Sequence, residues 1–254
     1  MAGGVRRMGM DPRILSAALS IIWIAVIFSP IFMLLVEAVK AVASDPTLLS
    51  LALPTGRRLS LLVNSLSLSA FVSLASVVVG VLAGSVLWRW DKGLKSRLRW
   101  LVLVFVPIPA YIHALSWMTT LTWLSTALGG FGVVLPTTGW APTYFVEFMT
   151  YLPLGVGLSL VGFIEVDAAS VEAAKLHRPD GDVFTRVVLP LVAPALVAAG
   201  GLVFALSMTD YSVPTLFSVN VYSLEVFSDF SATNQAPRAL VLSLPIILVT
   251  LLVL

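Results

Sequence analysis

The sequence predicts an all-α, polytopic membrane protein with about six transmembrane helices, and three observations carry that prediction. The 254 residues are 59% apolar and only 11% charged, against roughly 45–50% and 25% in soluble domains, which leaves too few polar groups to wet the surface of a globule. Runs free of Asp, Glu, Lys and Arg recur along the whole chain, most of them near the ~20 residues that cross ~30 Å of hydrocarbon. The basic residues gather in alternate connections between those runs, the asymmetry that orients a chain in a bilayer. Composition sets other classes aside. A net charge of +2 is no cationic surface for nucleic acid, so the expected surroundings are the lipid bilayer, with no nucleic-acid partner. The chain has no cysteine, and His113 and His177 stand far apart in sequence, so neither a thiolate site nor a metal cluster is expected, and no cofactor.

The elements follow in order. Residues 1–13, with Arg6, Arg7 and Arg13, read as a cytoplasmic N-terminal tail, and residues 14–254 as one transmembrane domain. The first span, 14–36, exceeds the 7–15 residues of a signal-peptide core, so a retained signal anchor fits better than a cleaved leader. In the second span, 61–88, Ser65, Ser69, Ser73, Ser76, Gly80 and Gly84 recur at steps of three and four, a small-residue face that lets helix backbones approach closely in lipid. The third span, 100–124, contains Pro107 and Pro109, which remove backbone donors and predict a kink; His113 beyond them reads as a hydrogen-bonded interior side chain. Gly129, Gly130, Gly132, Pro136, Gly139 and Pro142 make the next stretch a loop. A fourth span covers 144–164, a fifth 189–209 and a sixth 239–254. The last ends abruptly at Leu254, which reads as a fragment or as the first half of a longer, duplicated chain.

Eleven of the fifteen Lys and Arg fall on the side of the N-terminus: Arg6, Arg7 and Arg13; Arg89, Lys92, Lys95, Arg97 and Arg99; and Lys175, Arg178 and Arg186. The positive-inside rule then places both ends of the domain in the cytoplasm of a multi-pass protein of the cytoplasmic (inner) membrane.

The connection 165–190 on that side splits into two short helices. Asp167 can cap the first, over the Ala-rich stretch 168–178. Pro179, Asp180 and Gly181 read as a turn, Asp182 can cap the second helix, with Phe184, Val187, Val188 and Leu191 on one face, and Pro190 opens the fifth span. Such a surface helix pair suits a groove in another protein.

Glu172-Ala173-Ala174, a glycine-containing turn and Val188-Leu189-Pro190 resemble the EAA loop of permease subunits of binding-protein-dependent ABC importers with the type I fold. Arg178 occupies the position where the family has glycine, Gly181 follows three later, and the spacing to Leu189-Pro190 is one residue short of the family's. Asn64-Ser65-Leu66 and Asp210-Tyr211-Ser212-Val213-Pro214 are also similar to the family's stations. The resemblance implies an ATPase-coupling surface at Glu172, Ala173, Ala174, Arg178, Gly181 and Phe184, and a translocation path or outer gate at Asn64, Asp210, Tyr211 and Pro214. It implies as partners an ABC ATPase dimer, a second permease half (identical, homologous or fused) and an extracytoplasmic solute-binding protein. The stretches 210–214 and 220–225 look most like permeases for ferric iron, thiamine or polyamines; another small solute, such as an oxyanion, is the alternative.

Enzyme chemistry finds no footing. No HExxH, GxSxG or GxxxxGK[ST] occurs, so the energy of transport is expected from a partner ATPase and not from this chain. Glu147, Glu225 and Asp229 fall on the outer side with few basic partners, so they read as a net-negative vestibule suited either to a cationic solute or to a docking protein.

Overall fold

The structure, a computed structural model, describes residues 12–89, 97 and 99–254. The tail with Arg6 and Arg7, and the connection with Lys92 and Lys95, lie outside the described residues. Among the described residues, five helices are long and apolar enough to cross a membrane, or six if one bent pair counts as a single span.

Helix α1 (Pro12–Ser44) runs past the predicted end at Val36, and the charges that follow it, Glu37 and Lys40, pair across one turn at 3.2 Å. Asp45 stops it, its carboxylate accepting the Thr47 N–H to cap a 3₁₀ turn, Pro46–Ala52. Helix α2 (Arg57–Trp88) begins four residues ahead of its predicted span. The third span departs most from expectation: a 3₁₀ segment, Arg99–Phe105, and helix α3 (Ala110–Gly129) meet at 94° instead of forming one kinked rod. Pro107 and Pro109 together cause this, since each lacks an N–H and each forces its preceding residue out of the helical region. Helix α4 (Trp140–Ile164) starts four residues before the predicted Tyr144.

In the 165–190 connection, α5 covers Ala168–Lys175 and ends before Arg178, because Pro179 imposes extended geometry on its neighbour. Helix α6 (Asp180–Thr209) then runs unbroken through the fifth span. Asp182 therefore sits inside its first turn and is not its cap, and Pro190 lies within the helix rather than opening it. A π-helical turn, Phe184–Val188, ends two residues before Pro190, whose missing N–H leaves the Arg186 carbonyl without its usual donor. Short helices α7 (Ser212–Leu216) and α8 (Tyr222–Thr233) follow, then α9 (Ala236–Val253).

Helices α2, α4 and α6 pack mutually as the centre of the bundle, while α1 lies outside against α9 and the 46–52 turn. The small-residue face of α2 is what brings them close. Ser65, Ser69, Ser76, Gly80 and Gly84 are buried, Ser73 donates to the Gly200 carbonyl of α6 at 2.8 Å, and a Cβ on Gly80 would fall 2.9 Å from the Gly155 carbonyl oxygen of α4. Outward side chains such as Trp23 and Phe32 on α1 and Leu74 on α2 are exposed, the arrangement expected of helices solvated by lipid.

Candidate functional site

The 165–190 connection is built inward and outward at once. Asp167 accepts the N–H groups of Ala169 and Ser170 and the Ser170 hydroxyl. The Ser170 hydroxyl foremost, then the two N–H groups, hold the Asp167 carboxyl below the usual carboxylate range. Val171 is buried and Ala174 half-buried against the bundle, whereas Glu172 and Ala173 face outward. The turn that follows is exposed at His177 and Arg178, and Leu176 at its tip is 80% exposed. Lys175 and Asp180 close the turn with a 3.6 Å ion pair on the surface.

Of the residues expected to couple, then, Glu172, Ala173, Arg178 and Gly181 share the exposed surface, while Ala174 and Phe184 hold the loop to the helices. Phe184 stacks on Phe163 of α4 at 6.1 Å, and Phe163 on Trp88 of α2 at 5.9 Å. Gly181 has no atom within 4 Å of an added Cβ and no positive φ, so the turn depends on Pro179 and not on this glycine. A cavity of about 610 Å³ lies beside the loop, bounded by Arg89, Arg99, Lys175, Trp88 and Phe184 among others. Leu176 was not legible as a candidate; its exposure depends on where Pro179 ends the helix, and periodicity carries no such signal.

At the opposite end of the bundle the predicted gate residues meet around the end of α6. Asp210 accepts from the N–H and hydroxyl of Ser212 through one carboxylate oxygen, and its carbonyl accepts the Ser223 hydroxyl at 2.8 Å. Asn64 donates from α2 to the Asn220 carbonyl at 3.2 Å, Tyr211 stacks on Phe227 at 4.7 Å, and Pro214 is buried. Asn64 and Asp210 thus tie the 210–223 segment to α2 and α8. The other oxygen of Asp210, Oδ2, is buried without a hydrogen-bond partner.

The net-negative vestibule is corrected. Glu225 pairs with Arg57 at 2.8 Å, and Asp229 with Arg238 at 2.9 Å. Glu147 is 0% exposed inside the bundle, hydrogen-bonded with Ser207. Its sequence position between two uncharged runs suggested a helix end, but α4 begins early enough to carry it inside. The interior histidine is also corrected in part: His113 is half-buried, yet its Nε2 has no hydrogen-bond partner.

No protein-family model matches the sequence. It is 26% identical over 209 residues to the trehalose transport system permease protein SugB of Mycobacterium tuberculosis, covering 76% of this chain and 71% of that protein. It is 23% identical over 190 residues to the spermidine/putrescine transport system permease protein PotC of Haemophilus influenzae, covering 74% of this chain and 70% of that one. The fold matches a chain of a bacterial alginate ABC transporter, solved in complex with an alginate pentasaccharide-bound periplasmic protein, with a TM-score of 0.67 at 17% identity over 94% of this chain and 91% of that chain. These relatives name polyamine and sugar; neither iron nor thiamine appears among them.

Proposed function

We propose, from the premise that this chain is a transport subunit of the ABC-importer permease kind and not itself an enzyme, that it passes a small organic solute from an extracytoplasmic binding protein into the cytoplasm by alternating access. The relatives favour a polyamine-like or sugar solute over ferric iron or thiamine. ATP hydrolysis belongs to a separate ATPase dimer, and a second permease half completes the path. The N-terminus and the 165–190 loop face the cytoplasm in this reading, and the Asp210 turn faces the binding protein.

One observation carries the coupling role: α5 is anchored on its inner face by Val171 and Ala174 and bare on its outer face at Glu172 and Ala173, with Leu176 exposed in the turn just beyond. A helix held this way can enter a groove without unfolding. Ala173 lets the two backbones approach, Glu172 supplies a polar contact, and Leu176 an apolar one. Force applied there has two short routes into the membrane. The Phe184–Phe163–Trp88 stack leads to α4 and α2, and α6 is a single rod from Asp180 to Thr209, about 45 Å long at ~1.5 Å per residue, that ends on the Asp210 turn.

Ala173→Trp tests the assignment. It should abolish ATPase association and ATP-driven uptake in reconstituted vesicles while the membrane domain keeps its melting temperature. Uptake and association equal to wild type would remove this loop from the coupling surface.

A further inference from the structure

Glu147 has no part in that coupling route, yet it is the most completely buried acid among the described residues, at 0% exposure. Its Oε1 contacts the Ser207 hydroxyl of α6, which lies 3.1 Å from the Ser69 hydroxyl of α2, which in turn lies 3.8 Å from the Met208 sulfur of α6. Oε2 has no partner. Asp210 and Tyr151 lie within electrostatic reach, the first an acid and the second directing its hydroxyl at the Leu206 carbonyl. The neighbouring helices bring no cation to it. Helix α2 has no charged side chain between Arg58 and Arg89, α6 none between Arg186 and Asp210, and α7 none at all. On α3 the titratable groups are Tyr111 and His113, and in the 3₁₀ segment Arg99; none of the three hydrogen-bonds Glu147.

Either direction of the chain gives each hydroxyl proton an acceptor, so buried charge decides the state of this group. Ser207 has one hydroxyl proton, so it cannot donate both to Glu147 and to Ser69. If Glu147 is a carboxylate, Ser207 must donate to it, and a full charge remains in the bundle with one oxygen bare and no counter-ion among the described residues, an unfavourable arrangement in a low-dielectric interior. If Glu147 carries a proton, the chain runs in one direction, from Glu147 to Ser207, from Ser207 to Ser69 and from Ser69 to the Met208 sulfur, and every proton has an acceptor.

We propose that Glu147 is a neutral acid heading this three-helix hydrogen-bond chain, a proton-carrying clasp that holds α4, α6 and α2 together near the Asp210 end so that they move as one block. It is a positioning residue, and its side chain meets no solute. Transported substrate does not enter the inference, and its test is blind to transport, so failure here would leave the coupling proposal standing.

The assembled, lipid-reconstituted complex serves for the experiment. Glu147→Gln keeps the shape, one donor and one acceptor but cannot ionise, whereas Glu147→Ala and Ser207→Ala break the chain. We expect Glu147→Gln to melt at or above the wild-type temperature and both alanine variants to melt several degrees below it. In the infrared difference spectrum of wild type minus Glu147→Gln at neutral pH, we expect a protonated-carboxyl carbonyl band, shifted in frequency by Ser207→Ala. A carboxylate band in its place, or a Glu147→Gln complex as unstable as Glu147→Ala, would overturn the proposal.

Discussion

Two glycines with opposite surroundings show what a single residue decides. At Gly80 an added methyl would meet Ser159 Oγ at 2.5 Å and the Gly155 carbonyl at 2.9 Å; Gly80→Ala should therefore destabilise the α2–α4 contact by about 1–3 kcal/mol, seen as a lower melting temperature of the purified complex. Gly181 faces open space, and Gly181→Ala should leave stability unchanged or raise it by up to about 1 kcal/mol, because the unfolded chain loses freedom that the native turn never used. The first outcome was legible in the sequence, since the step of small residues marks a helix face. The second was not, since a glycine motif reads alike whether or not the backbone needs it. Asp210→Asn belongs to this scale too. Its cap to the Ser212 N–H survives the substitution, so a drop in uptake at unchanged assembly would assign the charge to the path, and unchanged uptake per assembled complex would leave only the capping role.

Elements were legible where periodicity and charge set them and illegible where proline did. The extents of α2, α4 and the fifth span follow from apolar runs, and only their ends moved, by a few residues or by absorbing the start of α6. The third span failed as one rod because two prolines spaced by one residue remove two donors within one turn, and a rule for single prolines predicts a kink. Proline also set the end of α5 in the 165–190 connection, through Pro179, whereas Pro190 lies inside α6 and ends nothing. The cap at Asp167 is legible because Asp before an Ala-rich stretch is a local signal. Its carboxyl titrates below the usual range when folded, so its contribution is complete above the unfolded value of about 3.9 and disappears as pH falls through the lower folded value. Between pH 7 and 5, association of the ATPase should therefore be insensitive to this group, while Asp167→Ala should weaken association at every pH in that window. A titration of complex formation by light scattering measures both.

For the whole molecule, composition narrows the fold class to two, since a chain with so few charges can satisfy its backbone in lipid only as helices or a closed barrel, and the helical steps on α2 choose between them. What composition could not supply is which acids remain at the surface. Glu225 and Asp229 acquire arginines from 57 and 238, far along the chain or across a turn, and Glu147 disappears into a core assembled from three helices. Orientation rests on the basic residues, and it has a direct test in a cysteine-free chain. Cysteines at the exposed positions Arg178 and Val134 should divide, the second reacting with an impermeant reagent outside intact cells and the first only after lysis. Coupling is tested most directly by affinity purification of the tagged chain from its native membrane, with ATPase subunits quantified for wild type and for Ala173→Trp at equal membrane-domain stability. Two ATPase subunits per transporter with wild type, and loss of at least tenfold with Ala173→Trp, is the predicted result; ATPase retained in full by Ala173→Trp, or absent from wild type, would contradict it.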